Sequence, residues 1–247
     1  GLRRTLILLS MLPGILFHHG RALAQFSLQP RVNYIVTMLP FDICARDFNN
    51  DGIADIATAD GGGARVSILP GNGDGTFGSR MERSVFPDGP RGIVCADVNL
   101  DSNCLGNNID LLYGNGDFSF SAPVQYTVGA NPRYMAYADF DGDGRGDLAV
   151  PAENDNNVTI LFGNSAGGFG GAVVHGNVPM ATAAAAADFD GVNGPDLAVI
   201  GTGFNHNVLY IFYNDGQGGF GSPATHSTCQ NPQDVIAADF DGDGRPD

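Results

Sequence analysis

The chain contains no tryptophan and no lysine, so arginine carries every permanent positive side-chain charge. Basic residues are few as well: 12 arginines face 27 acidic residues, giving a formal net charge of −15 and a pI near 4.3. That balance repels a phosphate backbone and excludes nucleic acid as a partner. Charge of either sign is scarce, at 16% of residues against 43% hydrophobic, so the chain is not the polar, highly charged mixture that stays unfolded. The apolar stretch from Leu6 to Phe17 is too short to span a bilayer, so no stable membrane span is expected. The four cysteines match no zinc-ligand spacing. What is abundant is turn chemistry: 36 Gly and 14 Pro, about a fifth of the chain, exclude a helical bundle and point to many short strands.

The N-terminus reads as a targeting segment. Arg3 and Arg4 precede the apolar run, and Ala22-Leu23-Ala24 supplies the small residues of a cleavage site. Residues 1–24 are thus expected to be a signal peptide and 25–247 the mature, exported chain, either secreted or in the cell envelope. No cysteine follows the cleavage site, which argues against a lipid anchor. Export permits oxidation of Cys44, Cys95, Cys104 and Cys229. Cys95 and Cys104 flank an irregular loop and can bridge it, but four cysteines allow three pairings, and free buried thiols are the alternative.

A unit of about fifty residues recurs through the rest of the chain. Its clearest element is a nonapeptide: Asp47-Phe-Asn-Asn-Asp-Gly-Ile-Ala-Asp55, Asp139-Phe-Asp-Gly-Asp-Gly-Arg-Gly-Asp147, Asp188-Phe-Asp-Gly-Val-Asn-Gly-Pro-Asp196 and Asp239-Phe-Asp-Gly-Asp-Gly-Arg-Pro-Asp247. A degraded copy begins at Asp97, and successive first aspartates are 50, 42, 49 and 51 residues apart. A short apolar strand, an alternating strand, a Gly-Asn turn ending in Phe, and a last strand carrying an aromatic or His follow in order. Pro40, Pro90, Pro132 and Pro232 each open a unit seven residues before its Asp loop. Units are expected to start near 41, 91, 133, 180 and 233. Period-2 strands between Gly/Asn/Asp turns form an antiparallel meander. Four strands per unit make one propeller blade, so the fold class is all-β, a β-propeller of four-stranded antiparallel blades; a β-solenoid, with shorter coils, is the competing repeat.

The nonapeptide has the pattern of a cation cage. Side-chain oxygens occupy positions 1, 3, 5 and 9, and Gly at position 6 turns the chain so that the carbonyl at position 7 can face inward. Converging carboxylates repel one another, and a divalent ion is the natural compensation. Ca2+ accepts the irregular oxygen shell that this spacing offers, whereas Mg2+ demands a tighter octahedron. EF-hand and dockerin loops share the first half, but their position-12 carboxylate is replaced here by Thr58, Val150 or Val199. A solvated Asp/Gly turn without metal is the structural alternative.

These features resemble the FG-GAP/VCBS-type repeat of integrin-α-like β-propellers, which pairs an Asp-x-Asp-x-Asp-Gly-x-x-Asp hairpin with Phe-Gly and small residues. Phe77-Gly78-Ser79, Phe169-Gly170-Gly171-Ala172 and Phe220-Gly221-Ser222-Pro223 carry the second element. The resemblance covers residues 26–247. It implies a seven-bladed parent fold, calcium hairpins between the first two strands of a blade, and an extracellular recognition or adhesion module with structural calcium.

The expected ligand sets are unequal. Asp139, Asp141, Asp143, Asp147 and the Arg145 carbonyl form a complete set, as do Asp239, Asp241, Asp243, Asp247 and the Arg245 carbonyl. Asp47, Asn49, Asp51, Asp55 and the Ile53 carbonyl have one carboxylate fewer. Val192 takes position 5 of the fourth loop, leaving Asp188, Asp190 and Asp196. Asp97, Asn99 and Asp101 form a weak or lost site, because Ser102 replaces Gly and Leu105 replaces the last Asp. From Asp97 to Gly114 is 17 residues, against 24 for Asp47 to Gly71. Either Ile109-Asp110-Leu111 is the second strand with Asp110 as ligand, or it is the third strand and the second is absent.

Candidate catalytic groups dissolve into the repeat. His175 and His226 stand thirteen residues before the next loop Asp, like Tyr34 and Tyr126, which assigns them to rings packed between blades. Only His206 is outside the pattern, with no nucleophile or paired carboxylate around it. No enzyme is expected. The expected function is a secreted calcium-binding propeller that recognises an extracellular protein or glycan through variable loops; the alternative is a non-catalytic or substrate-binding part of a larger exported enzyme. About four blades and the start of a fifth are present, with residues 26–36 matching the last strand of a preceding unit, so an open arc is expected. Sixteen of the 27 acids lie in the five loops, leaving eleven against the nine arginines beyond the leader. The acidity is a row of cages more than an acidic surface.

Overall fold

A computed structural model describes residues 32–63, 65–84, 90–95, 99–103, 107–203 and 206–247. The expected signal peptide lies outside the described residues. Sixteen strands are described, and they form four sheets, each an antiparallel meander of four consecutive strands. The first contains β1 (Pro40–Arg46), β2 (Asp55–Asp60), β3 (Arg65–Leu69) and β4 (Met81–Ser84). The second contains β5 (Pro90–Cys95), β6 (Asn99–Asn103), β7 (Asn108–Leu112) and β8 (Val124–Thr127). The third contains β9 (Ala136–Ala138), β10 (Asp147–Ala152), β11 (Asn157–Gly163) and β12 (Phe169–Gly176). The fourth contains β13 (Ala181–Ala187), β14 (Asp196–Gly203), β15 (His206–Phe212) and β16 (Ala224–Ser227). This is propeller architecture, each sheet being one blade. Among the described residues no helix is long and apolar enough to cross a membrane.

The strand sequences follow from where each strand sits in its blade. Second strands are covered on both faces, β10 by blades 2 and 4 and β2 by blade 2 and residues 32–39, so both are buried at every position. β10 reads as apolar or small residues after Asp147, and β2 carries the buried polar residues Asp55, Thr58 and Asp60. Outer strands β4, β8 and β16 have one free edge; β8 and β16 are largely exposed and β4 is half-buried. The core is consequently divided into slabs between blades. Ala57, Ala59, Val66 and Ile68 of blade 1 meet Ile93 of blade 2. Ile109 and Leu111 of blade 2 meet Met135, Leu148, Val150 and Leu161 of blade 3. Ala149, Val158 and Ile160 of blade 3 meet Leu197, Val199 and Phe212 of blade 4.

The Phe-Gly element seals three joints. The Phe169 N–H donates to the Tyr126 hydroxyl of the preceding blade at 3.1 Å, with the rings edge to face and centroids 5.4 Å apart. Phe77 N–H and Tyr34 repeat this geometry at 3.0 and 5.3 Å. Residues 32–39 therefore contact blade 1 as an outer strand contacts the next blade. His175 takes the tyrosine's place at the next joint, edge to face with Phe220 at 5.4 Å. That is a packing role, and burial lowers its pKa.

Two expectations are corrected. Cys44 is disulfide-bonded and Cys229 is a free exposed thiol. A Cys95–Cys104 bridge would leave Cys44 without a partner, so that pairing is excluded; Cys104 itself lies outside the described residues. In blade 2, Ile109-Asp110-Leu111 is the third strand, but the second is present: residues 99–103, expected in the loop, form β6 between β5 and β7. A polar sequence completes the sheet because strand formation depends on the neighbours on either side more than on intrinsic preference.

Replacing Tyr126 by Phe keeps the ring and removes the acceptor of the buried Phe169 N–H. The expected loss is about 1–3 kcal/mol, a fall in Tm of roughly 2–10 °C for a chain of this size. A thermal melt beside the parent checks it, and an unchanged Tm would remove the hydroxyl from the joint.

Candidate metal centre

Loops one, three and four each leave the first strand of a blade and enter the second. Two tight reversals shape the loop. In the third copy Gly142 and Gly144 have φ of 72° and 83°, and in the first Asn50 and Gly52 have 61° and 82°. Position 4, not only position 6, must therefore tolerate the left-handed region, which Gly and Asn do best. Position 1 then gathers backbone donors: Asp139 accepts from Asp143 N at 3.1 Å and Gly144 N at 2.8 Å. Asp239 accepts from Asp243 N and Gly244 N at the same distances.

The last aspartate is the structural centre of each loop. Asp147, at the start of β10 and fully buried, accepts from Phe140 N at 2.7 Å with one oxygen and from Gly163 N at 2.8 Å with the other. Asp55 does the same with Phe48 N and Gly71 N, at 2.8 and 2.7 Å. Asp196 repeats it with Phe189 N and Asn214 N, both at 2.8 Å. One carboxylate thus ties the head of the Asp loop to the Gly-Asn turn after the third strand. Nothing in the repeat pattern pairs position 9 with that turn; the recurrence of both elements was the only hint.

With position 9 fixed, three loops bring carboxylates together. Single oxygens of Asp139, Asp141 and Asp147 lie within 4.8 Å of one another, as do those of Asp188, Asp190 and Asp196, and of Asp239, Asp241 and Asp247. A hydrogen bond fills one lone pair of an oxygen and leaves the other for a cation. This oxygen-only donor set, with three converging carboxylates, fits a hard divalent ion.

Position 5 does not join these groups. Asp143 accepts from Arg145 N at 2.8 Å and from the Arg145 guanidinium, so an arginine expected to contribute only its carbonyl also pairs with a ring carboxylate. Asp243 accepts from Arg245 N at 2.8 Å. In the first loop Asn49 donates to Asp51 at 2.8 Å, Ile53 N donates to Asp51 at 2.7 Å, and Asp47, Asp51 and Asp55 form no group of three converging oxygens. In blade 2, Asn99 and Asp101 belong to the backbone of β6, and Asp97 lies outside the described residues. The hairpin loop seen in blades 1, 3 and 4 is missing there, β5 pairing with β6 from Cys95 opposite Asn99.

Burial pushes the Asp147 carboxyl above the usual range, the bonds from Gly163 and Phe140 hold it down, and the Asp141 charge adds to the rise. Asp196 is raised in the same way, by burial first and by Asp190 as the adjacent charge. The fold without metal therefore binds more protons at these sites than the unfolded chain. Their contribution to stability grows as pH falls into the range just above an ordinary carboxylate pKa, and shrinks as pH rises through it. Melts from about pH 4 to 6 in EGTA should show this acid stabilisation in the parent and a reduced slope in Asp147→Asn. Equal slopes in the two would contradict it.

Three segments, residues 47–103, 105–150 and 193–247, match the FG-GAP-like repeat model. No curated protein matches significantly. Among solved structures the chain is similar to BBS1N in complex with ARL6DN, in a lead-soaked crystal, at 17% identity and a TM-score of 0.54 over 79% of this chain and 57% of that one. It is also similar to the mercury-soaked crystal of the same complex, at 16% identity and a TM-score of 0.52 over 78% and 58%. The chain thus spans less than three-fifths of those structures, and at this identity the likeness concerns the fold. With more than half of its residues matched and blades built from the matching segments, the chain belongs to the FG-GAP-like repeat family.

Proposed function

We propose that this chain is a calcium-stabilised recognition propeller that works outside the cell. The observation that carries the calcium assignment is the recurrence of three converging carboxylates at the same place in three repeats. Asp139, Asp141 and Asp147 would hold one ion, Asp188, Asp190 and Asp196 a second, and Asp239, Asp241 and Asp247 a third, with the position-7 carbonyls of Arg145 and Arg245 available to complete the shell. Asp47, Asn49, Asp55 and the Ile53 carbonyl offer a weaker fourth. Bound calcium would neutralise the repulsion inside each loop and so tighten the brace between loop and turn. The ion's role is structural.

The leader, Ala22-Leu23-Ala24 and the disulfide at Cys44 support export. Millimolar calcium outside the cell suits sites of this kind, which bind at roughly 10⁻⁴–10⁻³ M. At ~1 mM ion each filled site contributes about 0.4–1.4 kcal/mol. A blade scaffold leaves the loops between strands free to vary, and these would contact an extracellular protein or glycan. Among the folds it resembles, BBS1N is seen in complex with ARL6DN, a precedent for protein recognition on such a scaffold.

EGTA should lower the Tm of the intact chain by several degrees, and excess Ca2+ should restore it. Asp139→Asn should lose part of that response. A melting curve indifferent to EGTA would sink the calcium assignment while leaving the propeller intact.

A further inference from the structure

Asp110 is the one described side chain whose two carboxylate oxygens are both buried without a hydrogen-bond partner. It is 1% exposed, at the centre of β7. Its neighbours Ile109 and Leu111 pack toward blade 3, so strand alternation turns Asp110 to the other face, toward blade 1. The same row of the sheet runs Ile93, Asp101, Asp110, Gln125 across β5 to β8. Ile93 lies in the slab shared with Ala57, Ala59 and Ile68 of blade 1. In blades 1 and 3 the corresponding row position carries a hydroxyl with a partner: Ser67 donates to Asp60, and Thr159 donates to the Val128 carbonyl. Blade 2 alone has a carboxylate there, with a second acid, Asp101, directly opposite on β6.

An ionised carboxylate without donors is costly in such a place. Gln125 approaches Asp110 from exposed β8 without making a bond of normal geometry. Its amide provides a further oxygen beside the carboxylate. We propose that Asp110 is the centre of a second type of cation site, in the sheet of blade 2 instead of a hairpin loop. It would take a hard divalent ion such as Ca2+, with the Asp110 carboxylate bidentate, the Gln125 amide oxygen adjoining it, and position 101 facing it in the strand register. The blade that lacks a loop cage would thereby keep an ion, one strand further out.

The test counts bound 45Ca2+ by equilibrium dialysis on the full chain. The parent is compared with Asp110→Asn and with Asp110→Thr, which installs the residue blade 3 uses in this row. A third protein carries Asp139→Asn, Asp188→Asn and Asp239→Asn together. Both position-110 variants should bind one ion fewer than the parent, and the loop variant should retain an ion that Asp110→Asn added to it removes. Unchanged stoichiometry in a folded position-110 variant, with a higher Tm in calcium and EGTA alike, would mean a merely protonated buried acid and overturn the proposal. The loop reading fails separately, if the triple loop variant binds as many ions as the parent.

Discussion

The blade depends on one buried carboxylate. In loops one, three and four the last aspartate holds the N–H of the loop's second residue with one oxygen and the N–H of the turn after the third strand with the other. Those two segments are separated in sequence by the whole of the second and third strands, so the bond closes the end of the blade. Its burial makes it expensive to leave charged, and its position makes it the inner wall of the cation cluster. Structure and metal affinity are thus properties of the same side chain. A cation there would stabilise the charge that the brace requires.

The second recurring constraint is the joint between blades. Each sheet is too thin to bury its own residues, and a second strand such as β10 is covered only because a blade lies on either side. The Tyr126–Phe169 and Tyr34–Phe77 contacts set the spacing of those neighbours by combining a backbone hydrogen bond with ring packing. His175 keeps the ring contact with Phe220. The loops are thereby carried on a scaffold whose rigidity comes from the slabs between blades, which is the condition for varying loops without loss of fold.

Much of this was legible because repetition exposes requirement. Aspartate at positions 1, 3 and 9, Gly or Asn where φ is positive, and Phe before Gly are each demanded by a specific contact, so they recur and can be read. What does not recur could not be read in the same way. Residues 99–103 have the composition of a loop and became a strand because β5 and β7 needed a member between them. The oxidation of Cys44 into a disulfide depends on tertiary approach, which no spacing reveals. Asp143 looked like a ligand by position, yet it stands outside the converging group and pairs with the Arg145 N–H and guanidinium. Asp110 was visible as a residue, but its isolation is a fact of packing between blades 1 and 2.

The central claim is that the braced carboxylates are cation ligands and not only turn formers. Crystals grown in calcium and measured at long wavelength would test it through an anomalous difference map. The account predicts peaks roughly 2.3–2.6 Å from the oxygens of Asp139, Asp141 and Asp147 and of Asp188, Asp190 and Asp196. A map with no anomalous signal at either cluster, in crystals where the same oxygens still converge, would contradict it.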